Sequence, residues 1–137
     1  QIRSFCFVDD LIEGMNSLME SNFNKPINLG NPEEISIKKL AFLIRDLINP
    51  ELNFIYKKLP DDDPKKRCPS IKLAKEILNW VPKTSLRDGL IKTIDWYKKE
   101  LSLVMAFRMG LEDMTLHMKN MELIILFHML DGLKIGI

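Results

Sequence analysis

Residues 26–50 read PINLGNPEEISIKKLAFLIRDLINP, and this stretch decides the fold class. Pro26–Gly30 is short and apolar and leads into the turn-forming pair Asn31-Pro32, which predicts a brief buried strand. Ser36 is a favourable helix cap, and the apolar residues after it recur at helical spacing until Asn49-Pro50 ends the pattern. A strand followed by an amphipathic helix indicates an α/β protein.

The same alternation extends to both sides of this stretch. On the amino-terminal side, Phe5–Val8 is short, aromatic and apolar and is predicted as a strand, with Asp9 capping the helix that follows. On the carboxy-terminal side, Leu52–Tyr56 is predicted as another strand. The chain is therefore expected to combine short strands with several helices.

Two more helices are predicted downstream. One is expected to begin at Ser70 and to end before Trp80-Val81-Pro82, because proline disfavours helical geometry in the residue ahead of it. The other is expected to begin at Ser85, where Asp88 three residues later resembles a capping box, and its apolar spacing continues to Leu101.

Composition limits the partners of the chain. Twenty Lys and Arg oppose 19 Asp and Glu, so the net charge of +1 creates no global field for nucleic acid or an anionic membrane. The two cysteines, Cys6 and Cys68, match no metal-ligand spacing and no disulfide framework, which favours a reducing, cytoplasmic setting. The chain begins at Gln1 without an initiator Met and is expected to be a fragment, so an upstream membrane anchor stays open.

The composition changes near Leu101. Six of the eight methionines and both histidines fall in residues 103–137. Two regions are therefore expected: residues 1–101 as the ligand-binding region, and residues 102–137 as a Met-rich apolar extension. This extension either docks on a partner or a membrane surface, or is an unselected extension of the reading frame.

The sequence contains few of the motifs that enzymes use for cofactor binding and catalysis. The six glycines form no phosphate-cradling loop, so no dinucleotide or nucleoside triphosphate site is predicted. Tyr56 and Tyr97 are followed four residues later by Pro60 and Leu101, so the Tyr-x-x-x-Lys pair of the short-chain dehydrogenases is missing. No residue of the chain is predicted to be a primary catalyst, and no metal is predicted.

Two arginines beside turns are the candidate binding residues. Arg3 precedes the aromatic segment, and Arg67 ends the loop 60–67, which contains Asp61-Asp62-Asp63. A guanidinium is a rigid fork of donors that matches phosphate or carboxylate oxygens. An arginine in a loop is, however, also a common solvated surface charge, and composition does not separate these two interpretations.

Three motifs in order carry a family resemblance. They are QIRSFCFVDDL at residues 1–11, PINLGNPEE at residues 26–34 and DDPKKRCPSI at residues 62–71. The series resembles the UDP-glucuronate decarboxylases, which are NAD-dependent epimerase/dehydratase enzymes of the extended short-chain dehydrogenase/reductase class. LAKEILNWVPK at residues 73–83 extends the resemblance, which covers residues 1 to about 101.

The resemblance implies the carboxy-terminal, substrate-binding portion of such an enzyme, with the Rossmann half that binds NAD mostly absent. Arg3 and Arg67 match the two arginines that the family directs toward the UDP-sugar, and Gln1 matches a residue beside it. Arg67 also matches an arginine given an auxiliary role near the sugar carboxylate or in proton delivery. The parent enzyme is implied to be a lyase that converts UDP-glucuronate to UDP-xylose and CO2, and to be a homodimer.

Alternatives remain at this point. Epimerases tend to place Gly-Asp after the second arginine, whereas Cys68-Pro69-Ser70-Ile71 here is closer to the decarboxylase form, although Cys68 stands where lysine is usual. A fragment of another epimerase or of a 4,6-dehydratase is the second interpretation. The third is a non-catalytic remnant or interaction module, so whether this chain alone is an enzyme stays open.

Other conspicuous residues are expected to be structural. Asp9 and Asp10 are interpreted as capping and solvated carboxylates rather than an acid pair. Asp61, Asp62 and Asp63 are interpreted as a solvated run rather than a cation site. Trp80 is expected to pack at a helix end rather than to stack on a base.

Overall fold

The computed structural model describes residues 1–54 and 64–109, with side chains described as far as residue 100. Its elements in chain order are β1 (Ile2–Arg3), α1 (Val8–Glu20), β2 (Ile35–Ser36), α2 (Ile37–Ile48), α3 (Lys72–Leu78) and α4 (Leu86–Met109). The only sheet among these residues is the antiparallel pair of β1 and β2. The predicted class, short strands with several helices, is confirmed.

The helices were well predicted because their signals are local. Helix α2 has the predicted bounds, and Asn49 closes it by donating its N–H to the Arg45 carbonyl at 2.7 Å. Ser85 caps α4: its Oγ accepts the Asp88 N–H at 3.1 Å and donates to the Asp88 carboxylate at 2.6 Å. Helix α4 continues to Met109, past the change in composition near Leu101.

Helix α3 ends as predicted but does not begin at Ser70. Its first residue is Lys72, and Ile71 stands at the cap position without a side-chain hydrogen bond. At the other end, Asn79 adopts a left-handed conformation with φ of 50°, which reverses the chain. The next residue, Trp80, donates its N–H to the Ala74 carbonyl at 3.3 Å.

The strand predictions were largely wrong. Phe5–Phe7 forms no strand, Val8 already begins α1, and the real strand lies earlier, at Ile2–Arg3. Pro26–Gly30 and Leu52–Phe54 are also outside any strand, and Ile55 and Tyr56 lie outside the described residues. An apolar run becomes a strand only where another strand accepts its backbone hydrogen bonds, and sequence periodicity does not show that partner.

The chain divides into two compact units. The first contains Gln1–Lys38 and Pro64–Gly89, and the second is drawn from Lys39–Asp63 and Leu90–Ile137. The buried apolar residues of the second unit include four on α2 and one on α4, namely Leu40, Ala41, Ile44, Ile48 and Ile94. The predicted division at residues 101 and 102 stays a prediction, and residues 110–137 lie outside the described part.

Trp80 is a buried core residue of the first unit and is only 3% exposed. It packs against α1 at Gly14, where a Cβ would lie 2.8 Å from Trp80 Cε2. Any larger residue at position 14 would therefore clash with the indole. The Trp80 Nε1–H donates to the Asp10 carbonyl at 3.0 Å, so both the apolar and polar parts of the ring have partners. The packing role predicted for Trp80 is confirmed.

Asp10 is a buried carboxylate, 6% exposed, that joins α1 to the chain before α4. Its Oδ2 accepts the N–H groups of Lys83 at 3.1 Å and Thr84 at 2.8 Å, and its Oδ1 accepts the Thr84 hydroxyl at 3.0 Å. Burial alone would raise the pKa of this carboxyl, but these hydrogen bonds outweigh it and lower the pKa. The expectation of a solvated Asp10 was wrong, whereas Asp9 is exposed in the first turn.

Among the described residues, no helix is long and apolar enough to span a membrane.

Candidate anion-binding site

Strand β1 lies between two distant segments of the chain. On one side Ile2 donates its N–H to the Lys65 carbonyl at 2.8 Å and accepts the N–H of Arg67 at 3.1 Å. On the other side Ile2 pairs with Ser36 in the antiparallel sheet, and Arg3 pairs with Ile35. This pairing fixes the segment that carries Arg67 beside the segment that carries Arg3.

A pocket of about 520 Å³ opens where these segments meet. It is lined by Arg3, Ser4, Lys66, Arg67, Cys68 and Pro69. The two arginines singled out in the sequence, 64 positions apart, thus share one pocket. Gln1 is not among the lining residues; its carbonyl accepts the Ile37 N–H at 3.0 Å. The predicted contact between Gln1 and a ligand stays a prediction.

The cations of the pocket differ in their protein partners. Lys66 forms an ion pair with Glu34, with Nζ and Oε1 2.7 Å apart. This contact lowers the pKa of the Glu34 carboxyl and raises that of the Lys66 ammonium, so both stay charged at neutral pH. Arg3 donates from Nη1 to the Ile2 carbonyl at 2.9 Å.

Arg67 is exposed, and its main-chain N–H is held by Ile2. Within residues 1–54 and 64–109 its guanidinium has no hydrogen bond or ion pair to the protein. A guanidinium offers five donors, so this side chain can bind an anion without first breaking a contact within the described residues.

Cys68 lines the pocket, but its thiol is not an activated nucleophile. Its Sγ donates to the Pro32 carbonyl at 3.3 Å. Partial desolvation and then the nearby Glu34 carboxylate raise the pKa of the thiol, which leaves it protonated at neutral pH. Cys6 has a raised thiol pKa as well, mainly from burial, and both cysteines are free.

The segment 28–34 packs against Cys68 and Pro69, two residues that line the pocket. Asn31 is buried, and its Oδ1 accepts the Glu33 N–H at 2.9 Å, which shapes the turn. A Cβ at Gly30 would lie 2.9 Å from Pro69 Cγ, so glycine is required for this close approach.

The three sequence motifs therefore meet in one place: the first supplies Arg3, the third supplies Arg67, and the second holds the third in position. Sequence reasoning found both arginines but missed the ion pair of Glu34 with Lys66, because the partners are 32 positions apart and each looks like an ordinary surface charge. Asp61, Asp62 and Asp63 lie outside the described residues. Within the described part, no group of three His, Cys, Asp or Glu side chains could hold a metal ion.

No protein-family model matches the chain. Curated relatives do match it. UDP-glucuronic acid decarboxylase 3 of Arabidopsis thaliana is 47% identical over 90 residues, which cover 66% of this chain and 26% of the relative. UDP-glucuronic acid decarboxylase 1 of Danio rerio is 44% identical over 101 residues, which cover 74% of this chain and 24% of the relative. The chain thus spans about a quarter of the length of these relatives.

Solved structures share its fold. The UDP-glucose 4-epimerase of Thermotoga maritima, solved with UDP-glucose, matches 73% of this chain and 32% of its own with a TM-score of 0.69 and 29% identity. The Bordetella bronchiseptica enzyme WbmF, solved with NAD+ and UDP, matches 76% of this chain and 32% of its own with a TM-score of 0.62 and 30% identity.

The described residues do not fit the NAD that the second structure contains. Gly14 lies inside a helix, Gly30 packs against Pro69, and Gly89 lies inside another helix against Phe7. None of these glycines opens a loop of free N–H groups at a helix start, which a dinucleotide pyrophosphate requires.

Agreement between the curated relatives and the solved structures leads to one conclusion: over the matched residues the chain is homologous to the UDP-glucuronic acid decarboxylases, and it adopts part of the fold of the NAD-dependent nucleotide-sugar epimerases and dehydratases.

Proposed function

We propose that this chain forms the UDP-sugar-binding part of an NAD-dependent UDP-glucuronate decarboxylase, with Arg3 and Arg67 holding the diphosphate. The observation that carries the proposal is the shared pocket of these two arginines, in which the Arg67 guanidinium has no hydrogen bond or ion pair within the described residues. The curated relatives support the choice of substrate.

The chemistry of the pocket suits a diphosphate. Arginine pairs with phosphate oxygens through two parallel N–H···O bonds, and charged hydrogen bonds of this kind contribute about 1.5 to 3 kcal/mol each. Lys66 is the third cation of the pocket, but Glu34 already neutralises it. The two guanidiniums are therefore the main anchors in the proposal, and Lys66 is secondary.

In the proposed reaction UDP-glucuronate loses its carboxyl group as CO2 and gives UDP-xylose. Redox chemistry at the sugar is assigned to NAD bound by the amino-terminal Rossmann domain of the parent enzyme. The part of this chain is to bind the nucleotide-sugar and fix its orientation, and we propose Arg67 for an additional contact with the sugar carboxylate. The homodimer, the cytoplasmic location and the absence of a metal remain predictions.

A nucleotide-sugar epimerase is the second candidate, because the Thermotoga epimerase shares the fold. Decarboxylation is favoured by sequence: the curated decarboxylases are 44% to 49% identical, compared with 29% and 30% for the two solved structures. Product analysis separates the candidates, since a decarboxylase releases CO2 and an epimerase does not.

The test is a chimaera in which this chain replaces the matching segment of a UDP-glucuronic acid decarboxylase. The chimaera is expected to release CO2 from UDP-glucuronate. Arg67→Lys keeps the charge but loses the planar fork, so kcat/KM is expected to fall about tenfold to 150-fold, the equivalent of one charged hydrogen bond.

Arg87→Lys is the matched control, because Arg87 is an exposed arginine on α4 that does not line the pocket. It is expected to stay within about twofold of the parent chimaera, as surface substitutions usually do. Accumulation of a keto-sugar intermediate in Arg67→Lys would indicate a carboxylate role, whereas a rise in KM alone would indicate phosphate binding. The assignment fails if Arg67→Lys is no more impaired than Arg87→Lys.

A further inference from the structure

Helix α1 carries a row of exposed apolar side chains. The exposed fractions of its members are 57%, 49%, 50% and 77%, for Val8, Ile12, Met15 and Met19 in that order. At 3.6 residues per turn these positions fall on one face of the helix, and the buried residues of α1, Asp10 and Gly14, fall on the opposite face. Single exposed apolar residues are ordinary, but a contiguous row of this size marks a surface that another element covers.

The charges of α1 limit what can cover this apolar row. The helix contains no lysine or arginine, and its acidic residues are Asp9, Asp10, Glu13 and Glu20. Helices that lie on an anionic membrane carry basic residues on their polar face, so a lipid surface is disfavoured. Pairing α1 with a second copy of itself would bring carboxylates together without a balancing cation on either helix. The row therefore fits a partner with an apolar surface and a neutral or basic rim.

A second feature without a partner lies beside α1, at residues 26–29. Leu29 packs against the helix, since its Cδ2 would lie 3.1 Å from a Cβ at Gly14. Burial alternates along the segment, with Ile27 and Leu29 half-buried and Pro26 and Asn28 exposed, which is the period of a strand. Within residues 1–54 and 64–109, however, the main-chain N–H and C=O groups of residues 27–29 form no hydrogen bond.

A strand-like segment with a free main chain fits the edge of a sheet. Nearly all buried backbone N–H and C=O groups of folded proteins are paired, and an extended segment gains such pairs by adding to an exposed sheet edge. Helix α1 precedes this segment, and in α/β proteins a helix next to a strand in sequence packs on a face of the same sheet. The apolar row and the free segment therefore require the same kind of partner, an α/β domain with an open sheet edge.

We infer that α1 and residues 26–29 form the docking surface for the amino-terminal domain of the parent enzyme. A sheet of that domain pairs with residues 26–29, and its apolar face covers the row on α1. The matched residues make up only 26% and 24% of two curated relatives, so a parent of that length has enough additional chain to supply this partner. The inference rests on the proposed function, in which the chain is part of a longer enzyme, and it adds the surface through which the parts join.

The test compares the accessibility of the apolar row in the isolated chain and in the chimaera that carries this chain within a UDP-glucuronic acid decarboxylase. Met15→Cys is introduced in a Cys6→Ser background, and maleimide labelling at position 15 is followed by mass spectrometry. Labelling is expected to be at least about tenfold slower in the chimaera, because a covered thiol reacts only during local opening. Arg87→Cys, at an exposed position of the same compact unit, is the control and should be labelled equally fast in both proteins.

Hydrogen exchange provides an independent measurement on the strand-like segment. Alternate amides of residues 27–29 should exchange at least about a hundredfold more slowly in the chimaera than in the isolated chain, because alternate N–H groups of a strand bond to its neighbour. Equal exchange in the two proteins would show that the segment gains no strand partner and would overturn the inference.

The labelling rates also separate other occupants of the row. Slow labelling of Met15→Cys in the isolated chain at every protein concentration would assign the row to another part of the same chain. Slow labelling that becomes faster on dilution would assign it to a second copy. Either result overturns the inference, as does equally fast labelling in both proteins.

Failure of the proposed function would look different. A chimaera that protects position 15 but releases no CO2 from UDP-glucuronate would overturn the decarboxylase assignment and support the docking surface. A chimaera that releases CO2 while position 15 is labelled as fast as in the isolated chain would overturn the docking surface alone.

Discussion

Asp10 and Arg67 are both charged side chains of the same compact unit, and their surroundings are opposite. The Asp10 carboxylate is buried and receives three hydrogen bonds from Lys83 and Thr84. The Arg67 guanidinium is exposed in a pocket and has no protein partner within the described residues. A charge whose bonding capacity is used by its own chain stabilises the fold, whereas a charge with unused capacity is available to a ligand.

The largest expected effect is on stability at Asp10. Asp10→Ala leaves two main-chain N–H groups and a hydroxyl without their acceptor, and we expect it to lower the free energy of unfolding by about 3 to 5 kcal/mol. Urea unfolding measures this loss. Asp9→Ala is the matched control: this exposed neighbour should change the value by about 0.5 kcal/mol or less. Equal losses in the two variants would refute the structural role assigned to Asp10.

The role of Asp10 could not be predicted from the sequence, although the helices could. The helices followed from local spacing and caps, such as the apolar series of α2 and the pair Ser85 and Asp88. The partners of Asp10 are 73 and 74 positions away, so its neighbour Asp9, an ordinary helix-start acid, looked equivalent. Contacts between distant segments are absent from periodicity, and for this reason the strands failed as well.

The motif resemblance identified the two arginines, but it did not show that they share a pocket. Arg3 and Arg67 come together because Ile2 pairs with the chain on both sides of Lys66. Nothing in the spacing of these residues indicates that pairing, because parallel contacts depend on the fold rather than on neighbours in the sequence. The same limit concealed the ion pair of Glu34 with Lys66, whose partners are distant in the sequence.

A smaller and graded effect is expected from pH. The folded pKa of Asp10 is lowered, so the folded state binds its proton less tightly than the unfolded chain does. The stabilisation is therefore complete above the ordinary aspartate pKa of about 3.9 and is lost as pH falls through the lowered folded value. The difference in the free energy of unfolding between wild type and Asp10→Asn should be constant between about pH 5 and about pH 7. It should shrink below a pH of about 4, as the Asp10 carboxylate becomes protonated. A difference that grew on acidification would have the wrong sign.

The smallest expected effect is on stability at Arg67. Because its guanidinium has no protein partner in the described part of the chain, Arg67→Ala should change the free energy of unfolding by about 0.5 kcal/mol or less. Urea unfolding beside Asp10→Ala gives the comparison directly. A loss above about 1 kcal/mol would place Arg67 with Asp10 among the structural charges.

The most direct test of the central claim is to observe the guanidinium of Arg67 while the ligand binds. In ¹H–¹⁵N spectra of the 137-residue chain, the Nε–H signals of Arg3, Arg67 and Arg87 can be assigned by substitution and followed as UDP is added. We expect the signals of Arg3 and Arg67 to move together and to saturate at one dissociation constant, while that of Arg87 stays in place. A folded chain in which UDP leaves Arg67 unmoved, or moves all three signals equally without saturation, would contradict it.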